Sequence, residues 1–162
     1  MTEISFSFVW RKSDLSIVCD VQEFWRGLDM LGSEEIEQRA SEICSVARSA
    51  GKVVAVSTAA TFDYPRLRAR FAYYRTAIAA EFRQQRLAAR LCVYSRDKLT
   101  EWSRENPEEK LKGLFIILQA EEFRGRQHVP VYTQLGLNLS LVGYTPSGYQ
   151  MRVEWFPNAT VE

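Results

Sequence analysis

Six consecutive residues, Arg83-Gln84-Gln85-Arg86-Leu87-Ala88, sit where a strand gives way to a helix and bring two guanidinium groups to that junction. The first amides of a helix have no internal acceptor, and the helix dipole adds partial positive charge, so such a junction suits an anion such as pyrophosphate. The same residues would serve equally as a solvated first helical turn. Other reactive side chains are sparse. Cys19, Cys44 and Cys92 are far apart and odd in number, unlike the dense, even set of a disulfide framework, and with His128 as the one histidine no metal site is expected. Cys92, mid-helix beside Leu91, reads as a small buried hydrophobe rather than a nucleophile.

The elements that position this junction follow from periodicity. Val21, Phe24, Trp25, Leu28 and Leu31 recur at helical spacing over Asp20–Leu31, and Ser33-Glu34-Glu35 resembles the capped start of a second short helix. Alternation over 42–60, broken by Ala50-Gly51 and followed by Val53, Val54 and Val56, predicts a hairpin. After a loop at Asp63-Tyr64-Pro65, residues Leu67–Ile78 predict a long strand, with Ala69, Phe71 and Tyr73 on one face. Leu87, Leu91, Tyr94, Leu99 and Trp102 mark a helix over Gln85–Arg104, stopped by Asn106-Pro107. The continuous apolar run Leu114–Leu118 predicts a strand buried on both faces. Strand, helix and buried strand make a right-handed βαβ crossover with parallel strands. Leu137–Tyr144 and Tyr149–Phe156 flank Thr145-Pro146-Ser147-Gly148, where Pro sets the first corner and Gly relieves the second. The fold class is therefore α/β (α+β): a mostly antiparallel mixed sheet with one central parallel crossover, flanked by helices, in a single domain over 1–162.

In this context the chain resembles the GNAT N-acetyltransferase superfamily. The family's cofactor pattern, Gln/Arg-x-x-Gly-x-Gly/Ala after a strand ending in an apolar residue, is similar to Ile78 followed by Arg83–Ala88. Arg83 and Ala88 match its ends, and Arg86 stands in place of the central Gly. A second segment, Tyr-x-x-x-Gly-Phe before a strand, is similar to Tyr132-Thr133-Gln134-Leu135-Gly136-Leu137. The order of elements agrees over about residues 40–156.

The resemblance implies a set of roles. The amides of Gln84, Gln85, Arg86, Leu87 and Ala88, with Arg83, would bind the pyrophosphate of acetyl-CoA, and Thr76, Ala77 and Ile78 would pair with its pantetheine arm. The thioester would enter between the two central parallel strands, and an amine would attack it directly, the oxyanion being steadied by a strand amide. Tyr132 would protonate the departing thiolate; a phenol, with an ordinary pKa of about 10, is a suitable acid for it. Its plainer role is packing beside Leu135. Arg86 would either obstruct the cradle or swing out to pair with phosphate oxygens.

Asp63, Glu122 and His128 are the candidate bases, although a water relay would need none. Trp25, Tyr64 and Tyr144 would line the acceptor pocket, with Phe24 and Tyr73 as further aromatic candidates. Trp25 reads more simply as a core anchor. Arg66, Arg68, Arg70 and Arg75 would mark an anionic acceptor or a solvated strand face.

The implied activity is acetyl transfer from acetyl-CoA to a primary amine. The alternative is a non-catalytic protein of the same fold that binds acyl-CoA or a protein partner in a regulatory role. A net charge of +1 argues against a nucleic-acid partner held by bulk electrostatics. With no apolar run of spanning length and no leader-like start, no membrane partner is expected and the cytoplasm is the expected compartment. The final hairpin, Leu137–Phe156, offers an edge for a homodimer.

Overall fold

A computed structural model describes residues 3–119, 129–157 and 159–161. Its strands are β1 (Ile4–Phe8), β2 (Ile43–Ser49), β3 (Lys52–Tyr64), β4 (Ala69–Ile78), β5 (Leu111–Leu118), β6 (Val131–Gln134), β7 (Leu137–Tyr144) and β8 (Gln150–Trp155). Three helices join them: α1 (Leu15–Leu28), α2 (Ser33–Arg39) and α3 (Leu87–Glu105). The strands form a mixed sheet in the order β1-β2-β3-β4-β5-β8-β7-β6. β4 and β5 pair in parallel, with Arg70 against Leu111 through Tyr73 against Phe115. The chain divides into two compact units, Met1–Ala60 with Thr76–Ser95 and Thr61–Arg75 with Arg96–Glu162. Among the described residues, no helix is long and apolar enough to cross a membrane.

In the first unit, α1 begins five residues before the expected start at Asp20, because the Asp14 carboxylate accepts the Ile17 amide at 2.8 Å and caps the helix. It ends at Asp29 in a left-handed conformation, three residues short of Leu31 counted from Leu28. The cap of α2 is Gly32, so Ser33 is its first helical residue rather than its cap. Val21, Trp25, Ile36, Ile43, Val46 and Val56 share one core cluster, which seats both helices. A second cluster joins Ala47, Ala55, Ile78, Leu87 and Leu91, so the start of α3 is fixed against β2 and β3. Ser45, Ser57 and Ser95 form a buried hydroxyl seam beside Cys44, with Ser95 bonded to Ser45 at 2.9 Å.

In the second unit, Phe71, Phe115 and Val153 form the core, edged by Phe62, Tyr64, Tyr73 and Trp155 in tilted and edge-to-face ring contacts. The β3 strand extends through Asp63 and Tyr64, where a loop was expected, before Pro65 starts a short 3-10 turn. The β7–β8 hairpin turns at Thr145–Gly148, with Gly148 donating to Thr145 at 2.8 Å. Gly148 holds the positive φ of 88° in the fourth position of that turn, not at its second corner. The hairpin has β5 on one side and β6 on the other, so the dimer edge expected at Leu137–Phe156 is already paired.

Candidate functional site

The junction after β4 is built by the first unit. At its start the Ala79 amide donates to the Val54 carbonyl at 2.8 Å. A 3-10 segment, Ala80–Gln85, then replaces the first turn expected of the helix, and α3 proper begins at Leu87. Leu87 is fully buried, which anchors the turn through its side chain and leaves only its amide for a ligand. Arg83, Gln84, Gln85, Arg86 and Ala88 are exposed. The Arg83 guanidinium folds back, its Nε donating to the Ile78 carbonyl at 3.3 Å and one terminal nitrogen reaching the Met30 sulfur at 3.8 Å.

Arg86 adopts φ 54° and ψ 26°, the left-handed conformation that glycine favours. Its carbonyl accepts the Arg90 amide at 3.0 Å, the first bond of the helix. The backbone therefore takes the turn of a glycine without having one, and the arginine side chain leaves it toward solvent. The amides that follow open α3 without internal acceptors, the arrangement that binds anions. On β4, Thr76 is exposed, Ala77 half-buried and Ile78 buried. A groove of about 850 Å3 borders the same junction, lined by Ala79–Arg83, by Asp20 and Glu23 of α1, and by Lys52 at the start of β3. Trp25 also belongs to this unit and is 2% exposed, within the cluster that holds α1.

Tyr64, Tyr132 and Tyr144 belong to the second unit. Tyr132 lies on β6, opposite Leu139 of β7, and is half-buried. The Leu135-Gly136 pair that completes its motif is the hairpin turn, with φ of 49° and 87°. Tyr144 is 45% exposed at the end of β7, opposite Gln150. Tyr64 is half-buried among Phe62, Phe71 and Phe115. Asp63 is exposed and paired with Arg70 at 2.9 Å, and that bond holds its carboxyl below its ordinary range. This is the wrong direction for a general base at neutral pH. Arg70 is also near Glu109, and Arg75 lies over the Tyr73 ring. Glu122 and His128 lie outside the described residues.

Two charged residues missing from the sequence-derived set dominate this unit's interior. Arg152 is 1% exposed, and Glu154 is 4% exposed on the same face of β8. Glu154 accepts the Asn138 amide at 2.6 Å and pairs with Arg96 at 3.2 Å; Arg96 in turn donates to the Gly136 carbonyl at 2.8 Å. Arg152 donates to Gln150 at 2.8 Å and to the carbonyls of Leu139 at 2.7 Å and Val129 at 2.8 Å. Burial pulls its pKa down, while the nearby phenols of Tyr144 and Tyr132 oppose that shift.

No protein-family model matches the chain, and no curated protein matches it by sequence. Solved structures do. A GNAT-family acetyltransferase from Streptococcus pneumoniae superposes with a TM-score of 0.53 at 12% identity, over 96% of this chain and 100% of that one. The ribosomal-protein-S18-alanine N-acetyltransferase of Escherichia coli gives 0.52 at 11% identity, over 98% and 97%. The diaminobutyrate acetyltransferase of Paenibacillus lautus, solved with L-2,4-diaminobutyric acid and coenzyme A, gives 0.51 at 14% identity, over 99% of each chain. The mixed sheet, its parallel β4–β5 crossover and its flanking helices are thus the fold of the GNAT acetyltransferases.

Proposed function

We propose that this protein transfers an acetyl group from acetyl-CoA to a primary amine. The observation that carries this reading is Arg86: its left-handed backbone makes the turn that a phosphate cradle requires, at the place where the fold's cofactor motif has glycine. Arg83 and the amides of Gln84, Gln85, Arg86, Leu87 and Ala88 would hold the pyrophosphate. The backbone of Thr76, Ala77 and Ile78 would pair with the pantetheine arm. The amine nitrogen attacks the thioester carbonyl carbon, the C–N bond forms and the C–S bond breaks. Tyr132 then gives its phenolic proton to the leaving thiolate, the acylated nitrogen gives its extra proton to water to leave the neutral amide, and water returns a proton to the tyrosine phenolate. Tyr144, and at lower exposure Tyr64, would supply aromatic surface to the acceptor, with Trp25 shaping α1 from the core.

Thermal stability with and without acetyl-CoA tests the reading. At about 100 times its Kd the ligand adds roughly 2.7 kcal/mol of stability. No shift with acetyl-CoA or CoA overturns it. Binding without thiol release across a panel of amines selects the non-catalytic alternative.

A further inference from the structure

The second unit contains a fully buried arginine with no carboxylate partner among its described residues, and the question is what it serves. Burying a guanidinium is costly unless oxygen atoms replace its water. Here they do, and their positions are specific. The carbonyls of Val129 and Pro130 lead directly into β6, at 2.8 and 3.5 Å from the guanidinium nitrogens. The carbonyl of Leu139 belongs to the residue facing Tyr132 across the ladder. Arg152 therefore grips the strand that carries Tyr132 from before it and from beside it.

Register puts the two side chains on the same face. Tyr132 pairs with Leu139, Leu141 pairs with Arg152, and alternate residues of β7 share a face. Tyr144, opposite Gln150, lies on that face too. The phenols attract the guanidinium in their ionised forms, so charge and geometry agree. Glu154, two residues along β8, fastens the other end of the hairpin through Asn138, and Arg96 fastens its turn through Gly136.

We infer that Arg152 is a positioning residue for Tyr132: it fixes the β6 strand in register and presents a permanent positive charge to the face on which the tyrosine becomes phenolate after giving up its proton. This rests on the acid role proposed for Tyr132. A lysine keeps the charge but cannot bond three carbonyls in one plane, so Arg152→Lys separates register from charge.

Two readouts test the inference. In protein labelled with 3-fluorotyrosine, the resonance assigned to Tyr132 by its loss in Tyr132→Phe is expected to shift or broaden in Arg152→Lys, in protein that remains folded by circular dichroism. A Tyr132 resonance unchanged by Arg152→Lys overturns the inference, whether or not an acceptor has been found. With an amine that supports thiol release, Arg152→Gln is expected to lower kcat about tenfold while KM for acetyl-CoA stays within about twofold. The double variant Arg152→Gln/Tyr132→Phe should then be no slower than Tyr132→Phe alone, because the arginine acts through the tyrosine. Independent, multiplying losses overturn it. If Tyr132→Phe alone leaves turnover unchanged, the acid role fails, and the fluorine resonance still decides whether Arg152 positions the ring.

Discussion

Glu154 accepts the backbone amide of Asn138 at 2.6 Å, and this bond ties the buried face of β8 to the start of β7, just past the turn that ends β6. The same carboxylate meets Arg96 at 3.2 Å, with only 5% of the Glu154 side chain exposed. Arg96 keeps Asp97 at 2.9 Å as a second counter-charge, so the main loss on removing the carboxylate is the bond to the Asn138 amide. Glu154→Ala is therefore expected to destabilise by about 1–3 kcal/mol. Urea denaturation checks this, and a change under about 1 kcal/mol would show that water replaces the carboxylate freely.

Arg86 occupies a left-handed conformation at φ 54°. For a residue with a Cβ this costs roughly 1–2 kcal/mol, which glycine avoids. Arg86→Gly is expected to raise thermal stability or leave it unchanged, since added unfolded-state entropy offsets part of the gain. Titration with CoA then separates the two roles of the side chain. Tighter binding means that it obstructs the cradle, and weaker binding means that it pairs with phosphate.

Gly113 faces Trp155 where β5 passes close to β8. A Cβ at this position would collide with the Glu154 carbonyl oxygen, a backbone atom that cannot swing aside. Gly113→Ala is expected to cost about 1–3 kcal/mol, read as a lowered urea midpoint.

Cys44 is fully buried, and burial pushes its thiol up to about 12, against the bonds from neighbouring serines that favour the thiolate. The thiolate is the reactive form, so Cys44 should stay silent toward a disulfide reagent at pH 8 while exposed Cys19 reacts. The sign of the pH effect follows. The unfolded thiol ionises near its ordinary value of about 9 and the folded one near 12, so Cys44 withdraws stability as pH rises through that window. Alkaline unfolding of Cys44→Ala should show a shallower decline.

The sequence makes the layout readable where one physical signal dominates. Leu114–Leu118 is apolar throughout because β5 is interior to the sheet, although only Leu114 and Phe115 are buried and Ile116, Ile117 and Leu118 are half-buried, and Leu87 with Leu91 marks the buried stripe of α3. Other features are hidden for stated reasons. β1 lies outside the expected strands although Ile4-Ser5-Phe6-Ser7-Phe8 alternates with period two. β6 is masked because Leu135-Gly136 fits a motif as well as it fits a hairpin turn. Gln150, Arg152 and Glu154 look like the wet face of β8, since alternation separates two faces without saying which one meets water. The conformation of Arg86 is equally silent: a residue with a long side chain gives no hint of a positive φ.

The central claim is that the amides opening α3 grip a diphosphate. Titrating CoA into 15N-labelled protein and following the backbone resonances tests it most directly. The account predicts saturable shifts concentrated at Gln84, Gln85, Arg86, Leu87 and Ala88. Resonances there that stay still at saturating CoA would contradict it.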